Sequence, residues 1–438
     1  MYINVIGAGL AGCECAYQTA KRGINVRLFE MKPTKKTAAH KSDLFCELIC
    51  SNSLKALRIE SAAGLLKEEM RRLDSLLMRC ADKCAVPAGG ALAVNRDDFS
   101  AMVTKEIRNN PLIEVIEKEV TEIPNDAITV IAAGPLASEV LSAEIQKICG
   151  GGLSFFDAAA PIVTAESIDM EKAFFASRYD KGGDDAYINC PMNKDEYEAF
   201  YEALVSAERT PLHGVDVQNP KVYEGCMPVE ILAQRGHDTL RFGPMKPVGL
   251  RDPRTGHRPW AVLQLRTENA EKSLYNLVGF QTNLKFPEQK RVFSMIPALH
   301  DAEFIRYGVM HRNTFLDSPR ILNSDFSMKE NANIFFAGQI TGVEGYMESG
   351  ASGLIAGINA VRRLNNIETI TLPKETMIGA LSRYIADESV KDFQPMGANI
   401  GILPPLEEKI RDKRERAAKH SACALDALEK VKVDFALA

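Results

Sequence analysis

The apolar run Tyr2-Ile3-Asn4-Val5-Ile6 passes directly into Gly7-Ala8-Gly9-Leu10-Ala11-Gly12. That join restricts the possible folds more than any other feature of the chain. The run reads as a buried strand. The segment after the turn reads as a helix to about Arg22, ended by Gly23, and Asn25 to Glu30 read as the next strand. This is one short β-turn-α-β unit. Gly7 allows the tight turn, Gly9 lets backbone approach a pyrophosphate, and Gly12 lets helix and strand pack closely. The first helical turn then offers N–H groups and a positive dipole end to phosphate. Glu30 lies eighteen residues after Gly12, near the roughly twenty expected of an acid that accepts from ribose hydroxyls. A bare GxGxxG turn can be a mere strand-helix connection, but here strand, helix and acid all accompany it.

A late segment points to FAD rather than NAD. Asn333 to Ala337 read as a strand, followed by Gly338, Gln339, Thr341, Gly342, Gly345, Ser349, Gly350, Ser352 and Gly353, and a helix read over Gly350 to Leu364. So many small residues at a helix start suit the close approach of backbone to a flat ring. Gly338, Gln339, Thr341, Gly342 and Gly353 are therefore expected at the cofactor, together with Gly7, Ala8, Gly9, Leu10, Ala11, Gly12 and Glu30. No second GxGxxG is found, which argues against a separate nicotinamide domain and places reduction by NAD(P)H at the flavin face.

Between these segments Asp97 to Arg108 read as a helix and Ala127 to Ala133 as a buried strand closed by Gly134-Pro135. Cys149 to Leu153, with three glycines, reads as a hinge. From Phe155 to about Leu322 prolines, aromatics and short alternating runs suggest an inserted α+β domain with an antiparallel sheet. The expected fold class is α/β: a Rossmann-like FAD-binding domain, whose flavin segments resemble those of the GidA and glutathione-reductase kind, carrying that insertion. The expected borders are 1–152 for the first part of the FAD domain, 153–324 for the insertion and 325–438 for the second part with C-terminal helices. The mixed-charge stretch Lys409 to Lys419 reads as a solvated helix face.

The net charge of −5 gives no global sign of a nucleic-acid binder, but local patches decide phosphate binding. Arg241 to Arg258 hold Arg241, Lys246, Arg251, Arg254 and Arg258 against one acid, Asp252, with Trp260 adjoining. Such a loop offers forked donors to phosphates and an aromatic face for stacking. A plain solvated loop is the alternative account. The run Arg306 to Arg312 could extend the same surface. No stretch reads as a secretory leader or as an apolar span of about 18 residues. A reducing cytoplasm is expected, with the ten cysteines as thiols and no membrane.

Cys50 and Cys226 invite chemistry, and Cys46 enters as a candidate partner of the first. Cys46 and Cys50 are four apart, and a redox disulfide there would need Cβ atoms about 3.5–4.5 Å apart, closer than a helical i, i+4 pair of about 5–6 Å. Cys50 precedes Ser51-Asn52-Ser53, a polar group suited to a cap or turn near a ligand. Cys226 follows Gly225 and stands two before Pro228, so it reads as a loop thiol able to act as a nucleophile. From the residues alone, an inert buried thiol is the favoured account of each.

The blocks GAGLAG, CELICSNSL, PAGGALAVNRDDFS, YEGCMPVE, TLRFGPMKPVGL, LYNLVGFQTNLK, RYGVMHRNTF and FFAGQITGVEGYMESGASGLIAG are colinear and spread over nearly the whole chain. They resemble the folate- and FAD-dependent tRNA uracil-5-methyltransferases, the TrmFO family. The larger GidA-type flavoproteins are similar mainly in the flavin segments. The TrmFO resemblance implies methylation of a T-loop uridine in tRNA, with carbon from 5,10-methylenetetrahydrofolate and reducing equivalents from NAD(P)H through FAD. It implies catalytic cysteines at Cys50 and Cys226, with Cys226 the candidate nucleophile on uracil C6, and Tyr346 near the isoalloxazine. Cys46 departs from the pattern, where alanine is expected. Ribosomal RNA is the alternative target, and a flavin-dependent thiol or disulfide oxidoreductase is the rival activity. Oligomeric state is not read from the sequence.

Overall fold

The computed structural model describes residues 1–37, 40–150, 153–158, 160–180, 187–210, 227–267, 272–308, 310–390, 393–408 and 410–435. Strands β1 (Tyr2–Ile6) and β2 (Asn25–Glu30) flank helix α1 (Leu10–Lys21). They lie at the centre of a five-stranded parallel sheet with β6 (Ile113–Glu117), β7 (Thr129–Ile131) and β16 (Ile334–Phe336), in the order β16-β7-β1-β2-β6. A parallel sheet is covered on both faces, so its strands are near-continuous apolar runs. Ile3, Val5, Leu28, Val130, Phe335 and Phe336 are all fully buried. The strands β7 and β16 are shorter than the apolar runs that announce them. The fold is the doubly wound α/β arrangement expected from the first thirty residues.

A three-stranded sheet, β3 (Ser53–Ala56), β4 (Ala85–Val86) and β5 (Ala91–Val94), is antiparallel and leads out of the 47–52 loop. A second core is built on a six-stranded sheet. Its strands are β9 (Ile162–Thr164), β10 (Phe174–Phe175), β11 (Ile188–Met192), β12 (Ala261–Thr267), β13 (Leu274–Leu277) and β14 (Phe304–Arg306), in the order β10-β11-β12-β13-β9-β14. The five pairings in this sheet are antiparallel. Tyr197, Phe200, Phe280 and Phe293 fill that core. A two-stranded ribbon, β8 (Leu153–Ala158) with β15 (Met310–Phe315), accompanies the two crossings between the cores. No helix among the described residues is long and apolar enough to cross a membrane.

The late helix starts at Tyr346 and runs to Leu364, four residues earlier than its glycines suggest. It crosses α1 at backbone contact. A Cβ on Gly353 would stand 2.1 Å from the Ala11 carbonyl oxygen, and one on Gly357 2.8 Å from that of Cys15. Two residues four apart share one helix face, so these glycines form the crossing. Glu14, buried in α1, accepts hydrogen bonds from the Ser75 hydroxyl and the Leu76 and Leu77 N–H groups. It thereby anchors the start of the helix Leu76–Lys83.

Candidate active site

One cavity runs past the carboxyl ends of β1, β2, β7 and β16, the position where open α/β sheets bind ligands. It encloses about 1190 Å³ of space free of protein atoms, part of it open to solvent. Its floor is the glycine turn. The Gly7 φ of +100° and a hypothetical Cβ 2.7 Å from the Ala132 oxygen leave room there for no other residue. A Cβ on Gly9, in contrast, would meet nothing within 4 Å, so backbone lies open to a ligand. Gly9 is the cap of α1 and no side chain caps that helix, which leaves first-turn donors for phosphate. Glu30 lines the same space. One carboxylate oxygen accepts the Ala8 N–H at 2.7 Å and the other the Lys32 N–H at 3.0 Å. The acid therefore braces the turn, and each oxygen keeps a further lone pair for a ribose hydroxyl.

Gly7, Ala8, Gly9, Leu10, Ala11, Glu30, Gly338, Gln339 and Tyr346 line the cavity. Four residues expected there do not. Gly12 serves internal packing, since its Cβ would stand 1.7 Å from the Gly7 oxygen. Thr341 is buried and donates to the Gly338 carbonyl. Gly342 lies under the Phe393 ring, 2.4 Å from its hypothetical Cβ. Gly353 belongs to the helix crossing. Ser349, one of the small residues of the late segment, also lines the cavity, and Ile49 and the segment Ala132 to Ser138 do so without having been expected there. The small residues Ala132-Ala133-Gly134 at the end of β7 were the available signal.

At the far end the loop bearing Cys50 meets the start of the late helix. The Cys50 N–H donates to the Tyr346 hydroxyl oxygen at 2.9 Å, and Sγ lies 3.0 Å from the same oxygen. Burial, with the Cys50 sulfur beside it, holds the Tyr346 phenol well above its ordinary range, and Arg96 opposes that. The hydroxyl thus keeps its proton at neutral pH. Cys46 is turned elsewhere. Its φ is +52°, its N–H donates to the Ala8 carbonyl, and its thiol meets Cys13, whose Sγ also donates to that carbonyl. The 46–50 segment is not helical. No disulfide joins any described cysteine, and Cys46 and Cys50 are both free thiols. Cys226 lies outside the described residues.

On the second core, Lys246, Arg251, Arg254 and Arg258 are exposed. Arg254 is held by Asp252 through two side-chain bonds. Arg241 pairs with Asp238, and its guanidinium lies 3.7 Å from the centre of the Trp260 ring. Those two are partly committed within the chain, which leaves Lys246, Arg251 and Arg258 the better candidates for phosphate.

Residues 2–368 match the family model named Glucose inhibited division protein A. A curated relative from Acetivibrio thermocellus, named Methylenetetrahydrofolate--tRNA-(uracil-5-)-methyltransferase TrmFO, is 59% identical over 429 residues, 98% of each chain. One of the same name from Desulfitobacterium hafniense is 59% identical over 431 residues, again 98% of each. The chain belongs to the TrmFO family. Among solved structures, Aquifex aeolicus GidA superposes with a TM-score of 0.70, covering 98% of this chain and 73% of that one at 16% identity. At that identity the likeness speaks for the fold. The TrmFO assignment rests on the near full-length relatives.

Proposed function

We propose that this TrmFO family member methylates C5 of a T-loop uridine in tRNA, with 5,10-methylenetetrahydrofolate as carbon donor and NAD(P)H as reductant, in the cytoplasm. The observation that carries the reading is the meeting of Cys50, Tyr346 and the open glycine turn around one cavity, in a chain 59% identical to named tRNA uracil-5-methyltransferases. FAD fits that cavity. Gly7 to Ala11 would take the pyrophosphate, Glu30 the ribose, and Gly338, Gln339 and Tyr346 would face the ring. Bound there, the flavin supplies hydride acceptance from NAD(P)H and relay of the one-carbon unit to the base.

The chain's own residues supply position and proton control. Uracil C5 is a poor nucleophile until a thiolate adds at C6, which places negative charge on C5 and O4. We assign that thiolate to Cys226. After C5 gains its substituent, its proton must leave so that the C6–S bond can break and the ring regain its double bond. Cys50 is assigned to that proton, with the protonated Tyr346 hydroxyl as donor to the thiolate form. The base must leave its stack to reach these groups, and Lys246, Arg251 and Arg258 are assigned to backbone phosphates, assisted by Arg241 and Arg254.

The test uses purified yellow protein with methylenetetrahydrofolate, NADH or NADPH, and unmodified tRNA and ribosomal RNA transcripts, followed by mapping of the methylated uridine. Methylation in the tRNA T-loop, lost in Cys50→Ala and in Cys226→Ala with flavin retained, is the expected result. A modified uridine only in ribosomal RNA replaces the target. Flavin-linked disulfide reduction without methyl transfer overturns the reading.

A further inference from the structure

The loop that carries Cys50 has no secondary structure of its own from Glu47 to Asn52. Its polar groups must therefore find partners elsewhere: the Tyr346 hydroxyl accepts from the Cys50 N–H, and guanidinium groups hold two of its carbonyls and two of its side chains. Arg96 Nη1 donates to the carbonyls of Leu48 and Ile49 at 2.8 and 3.2 Å. Arg306 Nη2 donates to the Ile49 carbonyl at 2.6 Å. Arg266 donates from Nε to Asn52 Oδ1 at 3.0 Å and from Nη2 to Ser51 Oγ at 2.7 Å. Asn52, fully buried, completes the link by donating to the Thr267 carbonyl at 2.9 Å.

Arg96 comes from the same core as the loop. Arg266 and Arg306 come from the other one. Their placement follows from sheet register. Arg266 on β12 pairs with Asn276 on β13, Asn276 with Ile162 on β9, and Ile162 with Arg306 on β14. Residues directly opposite in a regular antiparallel ladder project from the same face, which aligns Arg266, Asn276 and Ile162, and Arg306 joins that row across a register shift between Phe304 and Arg306. Three strand spacings separate its ends, roughly 14 Å. The row spans the Cys50 loop, with Arg306 on the residue before the thiol and Arg266 on the two residues after it.

We infer that Arg266 and Arg306 are positioning residues for Cys50. Arriving from the sheet that also bears the basic loop, they fix the thiol against Tyr346 and the cavity. The loop then has its working geometry only while the two cores are docked, which ties the chemistry at the flavin face to the side of the molecule assigned to RNA. A forked, planar donor is required at Arg266 because it serves two acceptors on adjacent residues, which an ammonium on a flexible stem cannot reproduce.

The inference rests on Cys50 acting in methyl transfer, and the experiment separates the two. Arg266→Gln, Arg266→Lys and Arg306→Gln are compared with the unaltered protein. The measurements are kcat and KM for methyl transfer, flavin content, melting temperature, and the rate at which iodoacetamide alkylates Cys50, resolved by mass spectrometry. Misplacement by about 1 Å can cost about 100-fold in rate. The expected result is a kcat at least about 10-fold lower in each variant, KM for RNA within about twofold, full flavin content, and Cys50 alkylation several-fold faster. Arg266→Lys should not restore kcat. Unchanged kcat, or unchanged Cys50 alkylation, overturns the inference. So does a fall in kcat that merely tracks lost flavin and lower melting temperature. Arg306→Gln removes the bond to the Ile49 carbonyl and leaves the Ser51 and Asn52 contacts of Arg266 in place, so it remains informative if Arg266→Gln folds poorly. An unaltered protein with no methyl transfer sinks the functional reading, while the alkylation rates still decide whether the arginines hold the loop.

Discussion

Gly353→Ala places one methyl group at the crossing of α1 and the 346–364 helix. The added carbon would lie 2.1 Å from the Ala11 carbonyl oxygen and 2.7 Å from both the Ala11 carbonyl carbon and Cα. Ordinary contact begins near 3.4 Å, so the helices must part by about 1.3 Å. The obstacle is backbone on the first turn of α1, which no rotamer change relieves. Overpacking of this kind costs about 1–3 kcal/mol, and a purely backbone clash belongs at the upper end. For a chain of 438 residues, about 3 kcal/mol corresponds to a fall in Tm of roughly 3–4 °C. Because Ala11 also lines the cavity, the displacement should reach the phosphate-binding turn. The variant is expected to purify with substoichiometric flavin, measured as visible absorbance per chain, and to melt early by differential scanning calorimetry. A variant with full flavin and an unchanged Tm would refute the assignment of Gly353 to helix packing. Lost flavin with an unchanged Tm would instead return it to direct cofactor contact.

Tyr346→Phe removes the acceptor of the Cys50 N–H. Without that bond the thiol loses its fixed position, and misplacement by about 1 Å can cost about 100-fold in rate, so kcat should fall about 10- to 100-fold with flavin retained, and a rate within twofold would exclude the phenol from the mechanism. Lys246→Ala, Arg251→Ala and Arg258→Ala combined should flatten the salt dependence of RNA affinity by a slope of about two to three. An unchanged slope in filter-binding titrations removes that loop from the RNA face. Glu69 is buried and accepts the N–H groups of Met377 and Ile378, yet burial pushes its carboxyl from 4.5 up to about 8 against those bonds. A raised folded value means its contribution to stability is complete below about pH 4.5 and is lost as pH rises through about 8. The Tm of the unaltered protein should therefore decline across that window relative to Glu69→Gln, and parallel curves would contradict the assignment.

The parallel sheet was legible because its strands are unbroken apolar runs flanked by glycine turns, signals that survive in one dimension. The flavin face was legible only in part. A glycine that admits a ligand and a glycine that admits a neighbouring helix look the same in a sequence. Gly9 and Gly353 differ only in whether open space or the Ala11 carbonyl stands where Cβ would be. Thr341 and Gly342 share that ambiguity, with a hydrogen bond to the Gly338 carbonyl and the Phe393 ring beside them. The row of Arg266 and Arg306 was out of reach, because it depends on the register of four strands. Cys46 could be set apart from Cys50 only once its left-handed backbone had turned it toward Cys13.

The sheet order has a consequence for how the chain comes off the ribosome. Until β16 emerges, β7 is the open margin of the parallel sheet, and the face of α1 that receives Gly353 is bare. More than three hundred residues separate β1 from that strand. During synthesis the first βαβ unit must wait, sticky and unable to close its nucleotide cleft, while the whole second core is translated. Such exposed margins invite mispairing with other nascent chains. The wall of the cofactor cavity formed by Gly338, Gln339 and Tyr346 exists only once β16 and the 346–364 helix have been made, so a product cut short before them is expected to purify colourless.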